Sequence, residues 1–314
     1  MSKKIIIIHE NKDWLAPITK AFERANLEWE EIYLTSGSID LSTLSKEAIY
    51  WSRLSASAHT RAHEHSKDYG RALLAYLEAQ GRRVVNGVRV LELEVSKVAQ
   101  YLALSKFGFR VPHTIAIFGK ADLLNRAKAF KTPFITKHNQ GGKGLGVRLF
   151  ASFKEFESYV NSSEFEEAND GITLLQEYIK AKNPFITRLE FVGGRFCYAV
   201  RVDTSDGGFE LCPAESCEIE RTPKLAVAAC DIGAKFSLRE DISPKDPLVT
   251  KLEGFLQAQG IEIAGIEFID TGKELVIYDI NTNTNYNKEV EEGLRKKGKN
   301  GAADEVASFL KGLL

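Results

Sequence analysis

Two carboxylates and a carboxamide lie close together near the end of the chain, in the segment GIEFIDTGKELVIYDIN. They belong to Glu267, Asp279 and Asn281. Their neighbours are Ile, Val and Phe, among which an unpaired carboxylate costs roughly several kcal/mol unless a cation compensates it. Oxygen ligands alone favour Mg²⁺ over Zn²⁺. The segment therefore predicts a magnesium site or a salt-bridged hairpin, and the spacing does not decide between them.

The geometry of this segment depends on its turn. Strand composition spans Ile263–Ile269 and Glu274–Ile280, with turn residues between them. Asp279 and Asn281 are two apart and share a face. A three-residue loop over 271–273 would set Gly265 opposite Asp279 and keep Glu267 on that face, whereas a two- or four-residue loop would turn Glu267 away.

A glycine-rich loop follows a predicted strand at Pro133–Lys137. Its sequence, HNQGGKGLGV over residues 138–147, contains Gly141, Gly142, Lys143, Gly144 and Gly146. Such a loop can approach a phosphate chain closely and direct N–H groups at it. It is neither a Walker A loop nor a dinucleotide fingerprint, because no Lys-Ser/Thr pair or helix follows. The pattern predicts a flap over phosphate, with a surface hairpin as the alternative.

A third group of polar residues follows a strand of the first domain. Arg53, His59 and Arg61 lie where open α/β sheets collect ligands. Arginine captures carboxylates bidentately, so we expect an anionic substrate there, with solvated or ion-paired side chains as the alternative. His59 and His63 are four apart, but the spacing fixes no third ligand, so a metal site is not expected.

Composition limits the classes of function. The chain has 314 residues, with 42 Lys+Arg against 43 Asp+Glu and a formal charge of −1. This balance gives no bulk electrostatic reason to bind nucleic acid or an anionic membrane. Without an apolar run near 18 residues, we expect a cytoplasmic protein. The four cysteines have no C-x-x-C spacing, so we expect reduced thiols and no zinc.

The elements that must position these residues form an α/β opening followed by mixed α+β units. The opening comprises predicted strands at Lys3–His9, Trp29–Leu34, Ile49–Leu54 and Arg83–Asn86 and helices at Trp14–Asn26 and Tyr69–Gln80. Later helices are expected at Glu94–Phe107, Asp122–Phe130, Phe153–Tyr159, Thr222–Phe236 and Leu248–Gln259. Strands are expected at Thr114–Phe118 and Thr173–Ile179, with a hairpin over Leu189–Val202. Lys288–Leu314 reads as basic, mostly helical surface.

The order of these motifs resembles the ATP-grasp superfamily, and within it the RimK-like α-L-glutamate ligases. The motifs are a lysine at a helix start, a strand lysine before the glycine-rich flap, LLQEYI, an arginine hairpin with Val-Gly-Gly, and Glu…Asp-x-Asn. They cover roughly residues 84–290.

The resemblance implies a fold and a set of cofactors. An N-terminal open α/β domain (pre-ATP-grasp, 1–95) would precede a lid subdomain with the flap (96–180) and a C-terminal subdomain with the metal site (181–314). ATP would bind between the last two with Mg²⁺, as two ions, for which Mn²⁺ is an alternative. The partners would be a small-molecule or peptide carboxylate and an amine or amino acid, and a homo-oligomer stays open.

The resemblance also implies residue roles. Lys97 and Lys137 would contact the nucleotide phosphates beneath the flap of Gly141–Gly146. The adenine would bind at the interdomain hinge, which consists of Gln176, Glu177, Tyr178 and Ile179. Arg188 and Arg201 would lie near the transferred phosphoryl group and the acyl-phosphate. Glu267, Asp279 and Asn281 would hold Mg²⁺.

The implied activity is ATP-dependent joining of a carboxylate to an amine through an acyl-phosphate, with glutamate or another amino acid added to the acceptor. The chain departs from the glutamate ligases in two places: it has Ile186-Thr187-Arg188 for Asp-Ile-Arg, and SDGGFELCPAESC for a later Asn with Gly-Gly. Both departures concern the acceptor. The alternatives are an ATP-grasp enzyme with a non-amine acceptor and a nucleotide-binding regulatory module without turnover.

Overall fold

The computed structural model describes residues 3–142, 144, 146–205 and 235–314. Its first unit is a parallel sheet of four strands, β1 (Ile5–His9), β2 (Trp29–Tyr33), β3 (Ile49–Arg53) and β4 (Arg83–Val85), in the order β2-β1-β3-β4. The helices of this unit are α1 (Ala16–Ala25), α2 (Ser66–Ala79) and α3 (Val88–Glu94), with 3₁₀ turns at Leu41–Thr43 and Ala58–Arg61.

The four consecutive isoleucines form the centre of this sheet. Strand side chains alternate between faces, so Ile5 and Ile7 join the core that contains α1, while Ile6 and Ile8 join the core that contains α2. Burial on both faces explains why this strand is continuously apolar.

The second unit is an antiparallel sheet that carries the glycine-rich loop. Its strands are β5 (Thr114–Phe118), β6 (Phe134–His138), β7 (Arg148–Phe150) and β8 (Ile172–Glu177), in the order β5-β8-β6-β7. Helices α5 (Leu123–Lys128) and α6 (Phe153–Val160) supply apolar residues to its core. The loop connects β6 to β7, which pair directly.

The third unit is a five-stranded antiparallel sheet. Its strands are β9 (Phe185–Val192), β10 (Arg195–Asp203), β11 (Phe236–Leu238), β12 (Ile263–Asp270) and β13 (Leu275–Asn281), in the order β11-β10-β9-β12-β13. Helix α4 (Lys97–Lys106) and helix α7 (Pro247–Gln259) share a core with this sheet. Helices α8 (Lys288–Lys296) and α9 (Ala302–Gly312) end the chain. The parallel sheet and the two antiparallel sheets confirm the predicted α/β and α+β class.

Three details differ from the sequence expectations. The C-terminal segment is helical but not only surface, since Val306 and Leu310 of α9 are buried in the core that also contains α1. β8 ends at Glu177, two residues before the predicted end. Most of the helix expected over Thr222–Phe236 lies outside the described residues, and Phe236 itself begins β11.

Asn86 connects the first unit to the third. Its backbone is left-handed, with a φ of 54°, and its side chain is buried. The amide nitrogen donates to the carbonyls of Ile263 (2.8 Å) and Thr282 (3.1 Å). The amide oxygen accepts from the backbone N–H groups of Glu262 (3.0 Å) and Ile263 (3.3 Å). One side chain thus satisfies the start of β12 and the residue after β13.

We expect Asn86→Gly to lower the free energy of unfolding by about 2–4 kcal/mol, because glycine keeps the left-handed backbone but leaves four backbone groups, most of them buried, without their side-chain partner. Asn26→Gly is the matched control: Asn26 is exposed, has a φ of 51°, and caps α1 through its backbone N–H. This control should stay within about 0.5 kcal/mol of the parent protein. Urea unfolding measures both, and equal losses would contradict the role of the Asn86 side chain.

Candidate functional site

The acidic hairpin brings the three predicted oxygen ligands to one face. Glu267 on β12 lies directly opposite Asp279 on β13, and Gly265 lies opposite Asn281. Opposite residues on paired strands point to the same face, as do residues two apart. The structure therefore places Glu267, Asp279 and Asn281 together.

The register that produces this grouping differs from the predicted one. Gly265 was expected opposite Asp279 across a three-residue loop, but four residues, 271–274, separate the strands. Such a loop was expected to turn Glu267 away. A β-bulge between Glu267 and Phe268 returns the Glu267 side chain to the face of Asp279. Phe268 pairs with Ile277 and Glu267 pairs with Asp279, so Tyr278 is the extra residue.

Arg188 on β9 is buried between two carboxylates. Its Nε donates to Glu190 (2.6 Å) and its Nη1 to Glu267 (2.8 Å). Its Nη2 donates to the hydroxyl of Thr284 (2.5 Å), which itself donates to Glu190 (2.9 Å). Every arm of the guanidinium is thus engaged, and the arginine is fixed in one orientation.

Burial and charge act in opposite directions on these groups. Burial raises the pKa of Glu267 and of Glu190, although the Arg188 guanidinium opposes both shifts. Burial would also raise the pKa of Asp279, but the ammonium groups of Lys97 and Lys137 hold it below its ordinary value. Asp279 is therefore ionised and suited to a cation.

The two predicted phosphate lysines approach this face from different units. Lys97, in the first turn of α4, forms an ion pair with Asp279. Lys137, at the end of β6, donates to the hydroxyl of Tyr101 (3.2 Å), and its Nζ lies 5.7 and 5.9 Å from the ring centroids of Tyr101 and Tyr278. Burial lowers the pKa of Lys137, which Asp279 and Glu267 partly counteract.

The glycine-rich loop is anchored to the start of α4. The carbonyl of Asn139 accepts from the N–H of Lys97 (3.1 Å), and its side-chain oxygen accepts from the N–H of Val98 (2.9 Å). Gly144 and Gly146 have φ values of 75° and 74°, in the region that favours glycine. Lys143, predicted as part of the flap, lies outside the described residues.

The predicted hinge covers the end of β8 and the residues just after it, in the β5-β8-β6-β7 sheet, which we call the lid sheet. Gln176 accepts a hydrogen bond from the Tyr101 hydroxyl (2.7 Å). Glu177 accepts from Arg110 (2.6 Å) and from the N–H of His113 (2.5 Å), so its carboxylate is held by the segment before β5. Tyr178 is partly exposed just beyond β8.

These features surround one cavity of about 320 Å³. It lies between the lid sheet and the five-stranded β11-β10-β9-β12-β13 sheet, which we call the C-terminal sheet. Its walls include the predicted phosphate lysines, part of the predicted flap, the predicted hinge, one predicted catalytic arginine and the predicted metal ligands: Lys97, Lys137, Gly141, Gly142, Gly144, Gln176, Glu177, Tyr178, Ile179, Arg188, Glu267, Asp279 and Asn281. Trp14, Ser55 and Ser57 of the N-terminal unit and Asn283 and Asn285 also line it. The structure therefore gathers residues from all three units around one space.

Known structures with a similar fold include ATP-grasp proteins. A RimK-domain ATP-grasp protein of Sphaerobacter thermophilus aligns at a TM-score of 0.64 and 16% identity, covering 98% of this chain and 100% of that one. The D-Ala:D-Ser ligase VanG of Enterococcus faecalis aligns at 0.67 and 14%, covering 100% and 99%. The ATP-grasp ligase PsnB, complexed with minimal precursor, Mg and ADP, aligns at 0.65 and 14%, with the same coverage.

This chain has the ATP-grasp fold. A search with protein-family models gave no match, and a search of the curated proteins gave none either. The shared fold covers essentially the whole chain and confirms the predicted resemblance to the ATP-grasp superfamily.

The cavity fits a metal–nucleotide complex by its chemistry. Its Lys and Arg lining residues are Lys97, Lys137 and Arg188, and its Asp and Glu lining residues are Glu94, Glu177, Glu267 and Asp279. A cavity without an excess of positive charge accepts a triphosphate well only if divalent cations arrive with it. Among the described residues no group of three or more His, Cys, Asp or Glu side chains could hold a metal, so the candidate set depends on the Asn281 carboxamide.

The predicted substrate residues have partners within the protein. Arg61 binds both carboxylate oxygens of the buried Glu10 (3.2 and 2.9 Å). Arg53 is buried, donates to the carbonyl of Thr284 (3.2 Å) and to Asn285 (3.0 Å), and has its pKa lowered by burial to about 10. His59 hydrogen-bonds the Ala56 carbonyl (3.2 Å), and burial lowers its pKa. Their role toward a substrate stays a prediction.

Arg201 is not among the residues that line the cavity. It pairs with Asp203 (3.1 Å) and lies over the ring of Phe185, 4.6 Å from its centroid. Its side chain is 43% exposed. The catalytic assignment of Arg201 stays a prediction.

Sequence reasoning missed several residues of the site. Glu190 lies two positions after Arg188 on a strand, so strand alternation could have identified it as a same-face partner. Tyr101 and Tyr278 flank Lys137, and Thr284 binds Arg188, yet their sequence positions carry no comparable signal.

We expect Gly265→Ala to weaken nucleotide binding roughly tenfold, about the value of one hydrogen bond to a charged group. A Cβ at this position would lie 2.6 Å from Nη2 of Arg188 and displace the guanidinium. Gly254→Ala on α7 is the control, since its Cβ meets only Phe107 at 3.6 Å. Titration with a fluorescent ATP analogue compares the two, and equal affinities would contradict the packing of Arg188 over Gly265.

We also expect the nucleotide affinity to fall with rising pH before an ordinary lysine loses its proton. Burial lowers the pKa of Lys137, and only the ammonium form attracts phosphate, so the attraction is lost at a lower pH than the ordinary value of 10.5. Lys137→Arg should extend binding to higher pH, because guanidinium stays charged. Superimposable pH profiles of the two proteins would contradict this role of Lys137.

Proposed function

We propose that this protein is an ATP-dependent carboxylate–amine ligase that forms an amide or peptide bond through an acyl-phosphate. The observation that carries the proposal is the single cavity in which two lysines, Arg188, the hinge and the oxygen ligands meet in an ATP-grasp fold. The named ligases VanG and PsnB share this fold at low identity, which supports the class and not the substrate.

The nucleotide would lie between the lid sheet and the C-terminal sheet. Ile135, Leu149 and Ile179 supply apolar wall near the hinge, where a flat base can be buried. Lys97 and Lys137 at the centre would bind the phosphates, and Gly141–Gly146 would cover them.

Glu267, Asp279 and Asn281 would hold Mg²⁺, as the hard oxygen ligands suggest. The ion would screen the negative charge of the triphosphate and favour attack on its γ-phosphorus. Because the surrounding side chains supply no excess of positive charge, two divalent ions would balance a tetra-anionic triphosphate, and Mn²⁺ could replace them.

The chemistry needs positioning more than side-chain nucleophiles. A substrate carboxylate oxygen would attack the γ-phosphorus in line, the bond to ADP would break, and an acyl-phosphate would form. The amine nitrogen would then attack the acyl carbon and lose a proton, and inorganic phosphate would leave. Arg188, fixed by Glu190, Glu267 and Thr284, would neutralise charge on the transferred group.

The acid and the amine would enter beside the N-terminal unit, where Ser55, Ser57, Asn283 and Asn285 line the cavity. Their classes would be a small-molecule or peptide carboxylate and an amine or amino acid, with glutamate among the candidates.

None of the described helices has the length and apolarity to cross a membrane.

We expect ADP release when ATP and Mg²⁺ are supplied with a suitable acid and an amine. A coupled assay over amino acids and small acids, with hydroxylamine as a general acceptor, measures it and yields a hydroxamate as product. ADP release that needs an acid but no amine would instead indicate a non-amine acceptor. The absence of ADP release over the whole panel, with the nucleotide still bound, would favour a regulatory module.

The control for this screen is Asp279→Asn, which keeps the shape but removes the charge of the proposed ligand. It should lower ADP release at least about a hundredfold, as expected when a group that stabilises transferring charge is lost. Asp241→Asn, at a largely exposed carboxylate that pairs with Arg239, should leave the rate unchanged.

A further inference from the structure

Each oxygen of Asp279 contacts a group of the protein itself. Oδ1 forms the ion pair with Lys97. Oδ2 accepts a hydrogen bond of 3.3 Å from the amide nitrogen of Asn281. The two proposed metal ligands on β13 therefore satisfy each other, with Lys97 closing the remaining side.

This arrangement sets two cations in competition for one carboxylate. A divalent ion that binds Asp279 meets the like charge of the Lys97 ammonium at the same carboxylate, and the repulsion is strong in a buried site. The ammonium is drawn toward a nucleotide phosphate for the same electrostatic reason that it is drawn toward Asp279. A metal ion at Asp279 is therefore favoured when the Lys97 ammonium moves from this carboxylate to a phosphate.

The backbone around Lys97 is fixed, so the exchange would involve the side chain. Asn139 and Ser96 cap the start of α4 through hydrogen bonds to Val98 and Ala99. A lysine in the first turn of a helix faces the positive end of the helix dipole, so it needs a nearby anion. Asp279 provides that anion here, and a phosphate group could replace it.

We propose that Lys97 is a built-in competitor for the metal ion, so that metal and nucleotide bind cooperatively by exchanging partners. The inference rests on the proposed metal role of Asp279. When the triphosphate takes the ammonium of Lys97, Asp279 is released to the cation, and neither charge is left buried without a partner. Coupling of this kind is reciprocal, so each ligand promotes the other.

Lys137 provides a matched control. It carries the same charge and lines the same cavity, but its Nζ is bound to the Tyr101 hydroxyl at 3.2 Å between two aromatic rings. Removal of its charge changes the general potential at Asp279 without freeing an Asp279 oxygen.

The test is Mn²⁺ binding to the nucleotide-free protein, measured by the electron paramagnetic resonance signal of free Mn²⁺. Lys97→Met should bind Mn²⁺ roughly tenfold more tightly than the parent protein, within the range typical of coupled sites. Lys137→Met should gain several-fold less, and Lys97→Arg, which keeps the ion pair, should resemble the parent. Circular dichroism melts establish that each variant is folded.

The second measurement is the affinity for AMP-PNP with and without Mn²⁺. Lys97→Met should bind the nucleotide more weakly and show a smaller increase on adding Mn²⁺ than the parent protein. Mn²⁺ binding by Lys97→Met no tighter than that of the parent, or no tighter than that of Lys137→Met, would overturn the inference. The parent protein and all variants are also compared with AMP-PNP in the absence of protein. If none of them binds more Mn²⁺ than AMP-PNP binds by itself, the proposed metal site and this inference are both overturned.

Discussion

The buried guanidinium of Arg188 is the constraint on which the rest of the site depends. Removal of a charge from water costs several kcal/mol, roughly, unless other groups compensate it. Glu190 and Glu267 do so from neighbouring positions, and Thr284 fills the remaining arm. Glu267 also accepts from the Tyr278 hydroxyl (2.7 Å) and lies opposite Asp279, so the carboxylate that compensates Arg188 also connects it to the bulge at Tyr278 and to Asp279.

This constraint extends into the N-terminal unit through the segment after β13. Arg53 donates to the carbonyl of Thr284, and Glu94 accepts from the N–H groups of Thr282 (2.8 Å) and Asn283 (3.3 Å). Asn86 donates to the Thr282 carbonyl. The N-terminal unit therefore holds in place the residue that binds Arg188, which gives Arg53 a structural role that its position at the end of a strand did not reveal.

Local patterns predicted most of the elements and many residues of the cavity. The isoleucine run, the glycine-rich loop and the alternation along β12 and β13 depend on near neighbours in the chain, so they can be read from it. The turn length and the bulge could not be predicted in this way. The turn is one residue longer than expected and the bulge adds one more residue, and these two deviations compensate each other only once the strands pair. The Glu10–Arg61 contact joins residues 51 apart, and spacing does not predict such a pair. The ion pair between Arg61 and Glu10 is therefore evident only from the tertiary structure.

The number of partners separates the fixed cations of this site from the exchangeable one. Arg188 has three partners, so replacing one of them by a ligand leaves it in place. Lys137 donates to the Tyr101 hydroxyl and also lies near two tyrosine rings, so its ammonium has more than one contact within the protein. Lys97 is held at its tip by Asp279 alone among the described residues. The proposed exchange therefore needs only one ion pair to be replaced, while the contacts of Arg188 and Lys137 keep the geometry of the site.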